Sequence, residues 1–352
     1  MNLTAVSTVA SLEVRQRIRT GRWRLTIVGL FILMTLIVLG SLYVTLSANG
    51  TYEDWSRNLL DLMIGMVLFL GLVAAPTVSA TSINGDRRDA TLALVQATPI
   101  TSWELALGKL VGSWAASLTL IVVALPYLIW GIAGSPASVG FGILAVLVVG
   151  LLMGCYCAIG LGFSAATTRP AASAILTQAA VLGLLIGSPI AFGLSLPLTQ
   201  QTHRLGVAVS TPSGASAEPD CRVEIREKRT THTEGTWWLL VANPVLIVSD
   251  TLEAGVDDEY HGDLRSASGF FAQMLSDARS GPMIRNEDCS DFGPLHWGGP
   301  SEQEKLHSAQ HIGSSWYAGL AVSIILGTAG MWTAARRLRV PAARLPKGVR
   351  VA

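Results

Sequence analysis

Charge is scarce in this chain. Asp, Glu, Lys and Arg make up only 14% of its 352 residues, against about 25% in an ordinary soluble protein. The 25 basic and 24 acidic side chains leave a formal net charge of +1, so no bulk positive field points to nucleic acid as a partner. The sequence has no G-x-x-x-x-G-K-[ST] loop, which removes the phosphate cradle of a P-loop ATPase, and no H-E-x-x-H, which removes the metalloprotease reading. Its 35 glycines lack the three-residue period of collagen. Cysteine is limited to Cys155, Cys157, Cys221 and Cys289, too few for a disulfide-dense secreted scaffold.

What is present is apolar and long. Six stretches run over Leu25–Leu46, Leu59–Ala80, Leu105–Trp130, Val139–Phe163, Ala171–Leu198 and Ser314–Ala335. Each reaches the roughly 20 residues that a helix needs to cross a bilayer's hydrocarbon core. The first, LTIVGLFILMTLIVLGSLYVTL, carries no charge at all. These runs predict an all-α polytopic membrane protein, a six-helix transmembrane bundle with a large extracytoplasmic segment between spans five and six. Gly65, Gly71, Gly108, Gly112, Gly150, Gly154, Gly160 and Gly162 lie inside the apolar stretches, where small residues let helices approach closely.

The distribution of the basic residues sets the orientation. Arg15, Arg17, Arg19, Arg22 and Arg24 precede an apolar run that is longer than the 7–15-residue core of a signal peptide, so an uncleaved first span is expected. Residues 1–24 read as a cytoplasmic segment. Either Leu12, Val14 and Ile18 make it an interfacial helix on an anionic membrane face, or it is a charged tail that fixes orientation. With six spans, Arg87, Arg88, Arg169 and the tail cations Arg336, Arg337, Arg339, Arg344, Lys347 and Arg350 all share the side of the N-terminus. The positive-inside rule then makes both termini cytoplasmic. The expected organisation is spans one to five over 25–198 with a cytoplasmic coupling segment at 81–105, an extracytoplasmic segment at 199–313, span six at 314–335 and a basic tail at 336–352.

The outer segment has its densest charge run at Asp250, Glu253, Asp257, Asp258, Glu259 and Asp263. Thr211–Asp220 is rich in Pro, Ser and Ala and reads as irregular. Thr236–Leu252 has two open placements, on the outer membrane surface with Trp237 and Trp238 at headgroup depth, or buried in a small domain. Cys221 and Cys289 both lie here, where oxidation is permitted, and form a candidate disulfide. All six histidines fall here too. His307 and His311, spaced to share a helix face with Glu304 one turn earlier, are compatible with metal ligation, although a solvated helix face is the stronger reading. Ionisable residues within the spans are few, which argues against a proton-relay carrier. Asp61 and Lys109 sit near span ends, where both can snorkel to water, and Asp61 reads as an outer-interface anchor ahead of a substrate or gating residue.

The connection between spans two and three is the most specific segment. After Asn84-Gly85 it runs DRRDATLALVQATPITSWELALGK to Lys109. Pro99 breaks the preceding helix, Thr101 or Ser102 can cap the next one, and Glu104 suits its positive end. Physically this is an elbow at the membrane interface, suited to receiving force from another protein.

Gly85 through Lys109 resembles the characteristic segment of type-2 ABC transporter permeases, an acidic/basic start followed by GT, LEL, LL, ATP, a hydroxyl residue, and E before GK. The six spans, the basic N-terminal segment and the Asn243-Pro244 pair extend the resemblance over most of the chain. Ala90 and Ala93 depart from the commoner glycine and glutamate. The resemblance implies a bacterial or archaeal cell-membrane exporter subunit that pairs with a second, identical permease half and with two copies of a cytoplasmic ATP-binding subunit. It makes Asp86, Arg87, Arg88, Thr98, Pro99, Thr101, Trp103 and Glu104 the candidate contacts with that subunit, Glu104 either pairing with a basic partner residue or capping its own helix. ATP and magnesium would then belong to the partner, with no cofactor in this chain, and the few buried charges favour an apolar or amphipathic cargo. The rival reading is an ATP-independent receptor or assembly protein acting through residues 199–313. An intramembrane hydrolase is weaker, because no triad spacing is present.

Overall fold

A computed structural model describes residues 2–19, 21–88, 92, 98–211, 220–256, 266–286 and 302–339. Among them are six helices long and apolar enough to cross a membrane, Trp23–Ser47, Tyr52–Arg88, Ser102–Gly134, Val139–Ala166, Pro170–Thr199 and Trp316–Arg337. The expected six-span bundle is therefore present. Several helices overrun the apolar runs because polar caps start them early. Thr51 and Asp54 form a reciprocal capping box at the start of span two, so that helix begins at Tyr52, about two turns before the apolar run itself.

Spans two and four form the centre, with 56% and 61% of their apolar windows buried, whereas only 11% is buried in spans one and five. The main core joins Leu59, Met63 and Val67 of span two to Leu120 and Leu128 of span three and Val148, Leu152 and Tyr156 of span four. Small residues set close helix crossings, as the sequence predicts. A Cβ placed on Gly162 of span four would stand 2.8 Å from the Cα of Gly330 in span six. Gly65 departs from the expectation, since nothing lies within 4 Å of its missing side chain.

Span five is not a uniform helix. It passes from Pro170–Leu182 through a π-helical turn at Gly183–Gly187 to Ser188–Ser195. The amide of Asn243 donates to the carbonyls of Leu184 (3.2 Å) and Leu185 (2.8 Å) within that turn, and its carbonyl oxygen caps the helix Pro244–Glu253. One buried side chain thus satisfies two elements at once, which gives the Asn-Pro pair a structural reason.

The segment between spans five and six contains two strands, β1 (Gln200–Thr211) and β2 (Asp220–Thr231). They pair antiparallel from Gln200↔Thr231 to Thr211↔Asp220. The six-helix bundle stands, and the outer segment adds a hairpin that the all-α reading did not include. On β2, Val223 and Ile225 alternate with Arg222, Glu224 and Arg226, a short period-2 pattern. Residues 212–219, expected to be irregular, lie outside the described residues. Of the two placements for Thr236–Leu252, burial describes the helix Pro244–Glu253, whose Leu246, Ile247 and Val248 are buried, while Trp238 is exposed. A further helix, Ala267–Ser280, packs over it through Leu275 and Ala278.

Candidate functional site

The N-terminal helix, the segment after span two, the start of span three and the end of span six meet on one face, called here the basic face. Val9, Ile83, Leu105, Ala106, Ala165, Met331 and Leu338 form a separate core there. The hairpin β1–β2 lies in the segment joining spans five and six and marks the opposite face.

The N-terminal segment is a helix, Leu3–Ile18, capped by Asn2, whose side chain accepts from the Thr4 amide. Gly108 and Gly112 of span three provide a flat track for it. A Cβ on Gly108 would meet Val9 at 2.6 Å, and one on Gly112 would meet Glu13 at 2.6 Å. Leu12 and Ile18 are exposed, as an apolar edge facing a membrane surface requires.

Two polar clasps hold this helix to the elbow. The first is Glu104. Thr101 and Glu104 form a capping box at the start of span three, with Thr101 N–H donating to Glu104 Oε2 at 2.9 Å. Glu104 Oε1 accepts from the backbone N–H of Asn2 at 2.5 Å. Capping therefore describes Glu104 within this chain, and its second oxygen also binds the start of the N-terminal helix.

The second clasp is centred on Lys109. Its ammonium lies 2.6 Å from Glu13 of the N-terminal helix and 2.5 Å from Asp86 of the elbow, with the Ser82 hydroxyl at 3.2 Å. The Lys109 side chain is only 3% exposed, so it does not snorkel to water as its position near a span end predicts. Two carboxylates make inward pairing the better solution. Burial pushes the Glu13 carboxyl up, but the Lys109 ammonium, Arg17 and the Ser82 hydroxyl together outweigh burial and hold it below the ordinary carboxylate range.

The candidate coupling residues thus divide. Asp86, Glu104 and Arg87 turn inward, Arg87 donating to the carbonyl of Ala165 at the end of span four at 3.2 Å. Arg88, Thr98, Pro99 and Thr101 are exposed and Trp103 is half-buried. Ala90 and Ala93, where the segment departs from the family pattern, lie outside the described residues. Sequence reasoning missed Glu13 as a member of the site. Its only signal was an acid among arginines on the N-terminal segment.

On the opposite face, Asp61 of span two accepts from the amide and hydroxyl of Ser268 at 3.0 and 2.8 Å. It borders a cavity of about 120 Å³ lined by Leu68, Phe69, Leu185, Val248 and Phe271. Asp61 thus anchors the helix Ala267–Ser280 to span two. Asp250, fully buried, receives the amides of Gly313, Ser315 and Trp316 at 2.7–2.8 Å and so caps span six. Burial raises its carboxyl above the usual range against those three donors. His307 and His311 do not share a helix face, because that helix ends at Ala309. Cys289 lies outside the described residues, as does the side chain of Cys221. Cys155 and Cys157 are buried free thiols in span four.

A family model described as ABC-2 family transporter protein matches residues 7–234. The match covers most of the N-terminal helix, the first five spans, the elbow and the hairpin. No curated protein matches the chain.

Proposed function

Because the chain belongs to the ABC-2 transporter family, we propose that it is the permease subunit of an exporter driven by a separate cytoplasmic ATP-binding subunit. The positive-inside rule supports placing the basic face in the cytoplasm. With no P-loop in this sequence, phosphoryl transfer and its magnesium belong to the partner, and this chain supplies the pathway and its coupling lever.

The observation that carries the reading is the pair of clasps at Glu104 and Lys109. They join the N-terminal helix, the elbow and the start of span three into one block. Exposed Arg88, Thr98, Pro99 and Thr101 border that block. A push on the elbow is then transmitted to span three instead of being absorbed by a loose loop. The outward apolar faces of spans one and five offer surface for a second copy of the chain and for lipid, and two copies would engage two ATP-binding subunits.

The test is a photo-crosslinkable residue at position 99 or 103 in cells that carry the candidate ATP-binding subunit. Crosslinking to that subunit, with loss of coupled transport in Arg88→Ala, is the expected result. Transport that proceeds unchanged without any ATP-binding partner, together with ligand capture by the outer segment, would replace this reading with the receptor.

A further inference from the structure

The hairpin carries a second constellation that the permease reading does not use. His203 lies on β1 and His232 directly follows β2. Their Nε2 atoms converge to 3.0 Å, with ring centroids 5.3 Å apart and planes inclined at 53°. His232 Nδ1 lies 2.6 Å from Glu234 Oε1, and the His232 backbone amide donates to the carbonyl of Thr199, the last residue of span five, at 3.0 Å.

These contacts fix the chemistry of the pair. The Glu234 carboxylate accepts a hydrogen bond from His232 Nδ1–H, and a neutral ring protonated there has its Nε2 lone pair aimed at His203. A carboxylate behind an imidazole is the arrangement that orients metal-binding histidines and raises their basicity. Zinc–nitrogen bonds of about 2.0–2.1 Å in a tetrahedral site put two ligand nitrogens about 3.4 Å apart. The observed separation needs to open by only a few tenths of an ångström. Imidazole nitrogen suits zinc, copper and nickel, and it does not suit calcium or magnesium. His307 belongs elsewhere, since its Nε2 lies 3.3 Å from the carbonyl of Gly281 and is occupied as a donor.

We infer that His203 and His232, oriented by Glu234, bind one divalent transition-metal ion of the zinc class at the base of the hairpin. Two protein ligands leave the remaining coordination positions to water or to an incoming donor, and the His232 side chain retains 18% exposure for access. Because β1 follows directly from span five and His232 is tied to Thr199, the metal would fasten both strands of the hairpin to the end of that span. This site does not depend on the coupling reading.

The test is a calorimetric titration of the purified full-length chain in detergent with Zn²⁺. One ion per chain is expected, with affinity at least about tenfold weaker in His203→Gln and His232→Ala and about 10–100-fold weaker in Glu234→Gln. His311→Ala, which alters a histidine outside the pair, should bind as the parent does. Electron paramagnetic resonance of the Cu²⁺-loaded parent should show two imidazole nitrogens and does not require any variant to fold. Failure of the parent to bind Zn²⁺, unchanged affinity in both histidine variants, or a copper spectrum without imidazole nitrogen would overturn the assignment.

Discussion

Lys109 shows how a single residue can join three elements. Glu13→Gln keeps the shape of the clasp and removes one of its two charges, leaving a buried ammonium with Asp86 alone. The expected loss is about 1.5–3 kcal/mol of stability, read as a lower melting temperature in detergent. The effect has a pH signature. Glu13 titrates below its ordinary 4.5 in the folded chain, so its contribution is present above that value and is lost as pH falls through the folded value. The melting gap between parent and Glu13→Gln should therefore narrow below about pH 4.5, and a gap that stayed constant would refute the ion pair. Asn243 makes a second prediction at this scale. Asn243→Ala should cost about 1–2 kcal/mol through the lost cap. Asn243→Asp should cost more despite keeping a capping oxygen, because it sets a carboxylate oxygen against the carbonyls of Leu184 and Leu185. Comparison of the two melting curves decides this, and an aspartate variant as stable as the parent would disprove the bridging role.

At the scale of helices and strands, the contrast lies between spans four and six, which touch backbone to backbone, and span five, which is open on its outer side. Gly162→Ala drives a methyl group into Gly330 and should destabilise by about 1–3 kcal/mol. Gly183→Ala meets nothing within 4 Å and should change stability by less than about 1 kcal/mol. Equal melting temperatures for the two variants would contradict the packing. The same contrast explains what could be read from the sequence. An uncharged run such as Leu25–Leu46 has one solution in lipid, a helix that satisfies its own backbone, and Thr101 with Glu104 announces a helix start wherever it occurs. The hairpin was obscured because β2 interleaves Val223 and Ile225 with arginines and glutamates, with Ile225 exposed, so it has no apolar face strong enough to advertise a strand. The Glu13–Lys109 pair spans 96 positions, and no local pattern encodes a tertiary contact of that reach. Asp86, Arg87 and Glu104 were legible as members of the elbow, but their inward direction follows from packing that the sequence does not display.

For the whole molecule, sidedness is decisive. The N-terminal helix, elbow and end of span six are joined by one core on the basic face, and the hairpin follows the far end of span five. A coupled exporter requires the first of these faces to meet the ATP-binding subunit and the second to meet the exterior. The most direct measurement uses single cysteines introduced as Arg88→Cys, Arg336→Cys and Arg226→Cys, in a background where the 4 natural cysteines are replaced by serine. Intact cells are treated with a membrane-impermeant maleimide. Labelling at position 226 and protection at 88 and 336 until the membrane is opened are expected. Labelling that separated 88 from 336, or that placed 226 with 88, would contradict this sidedness.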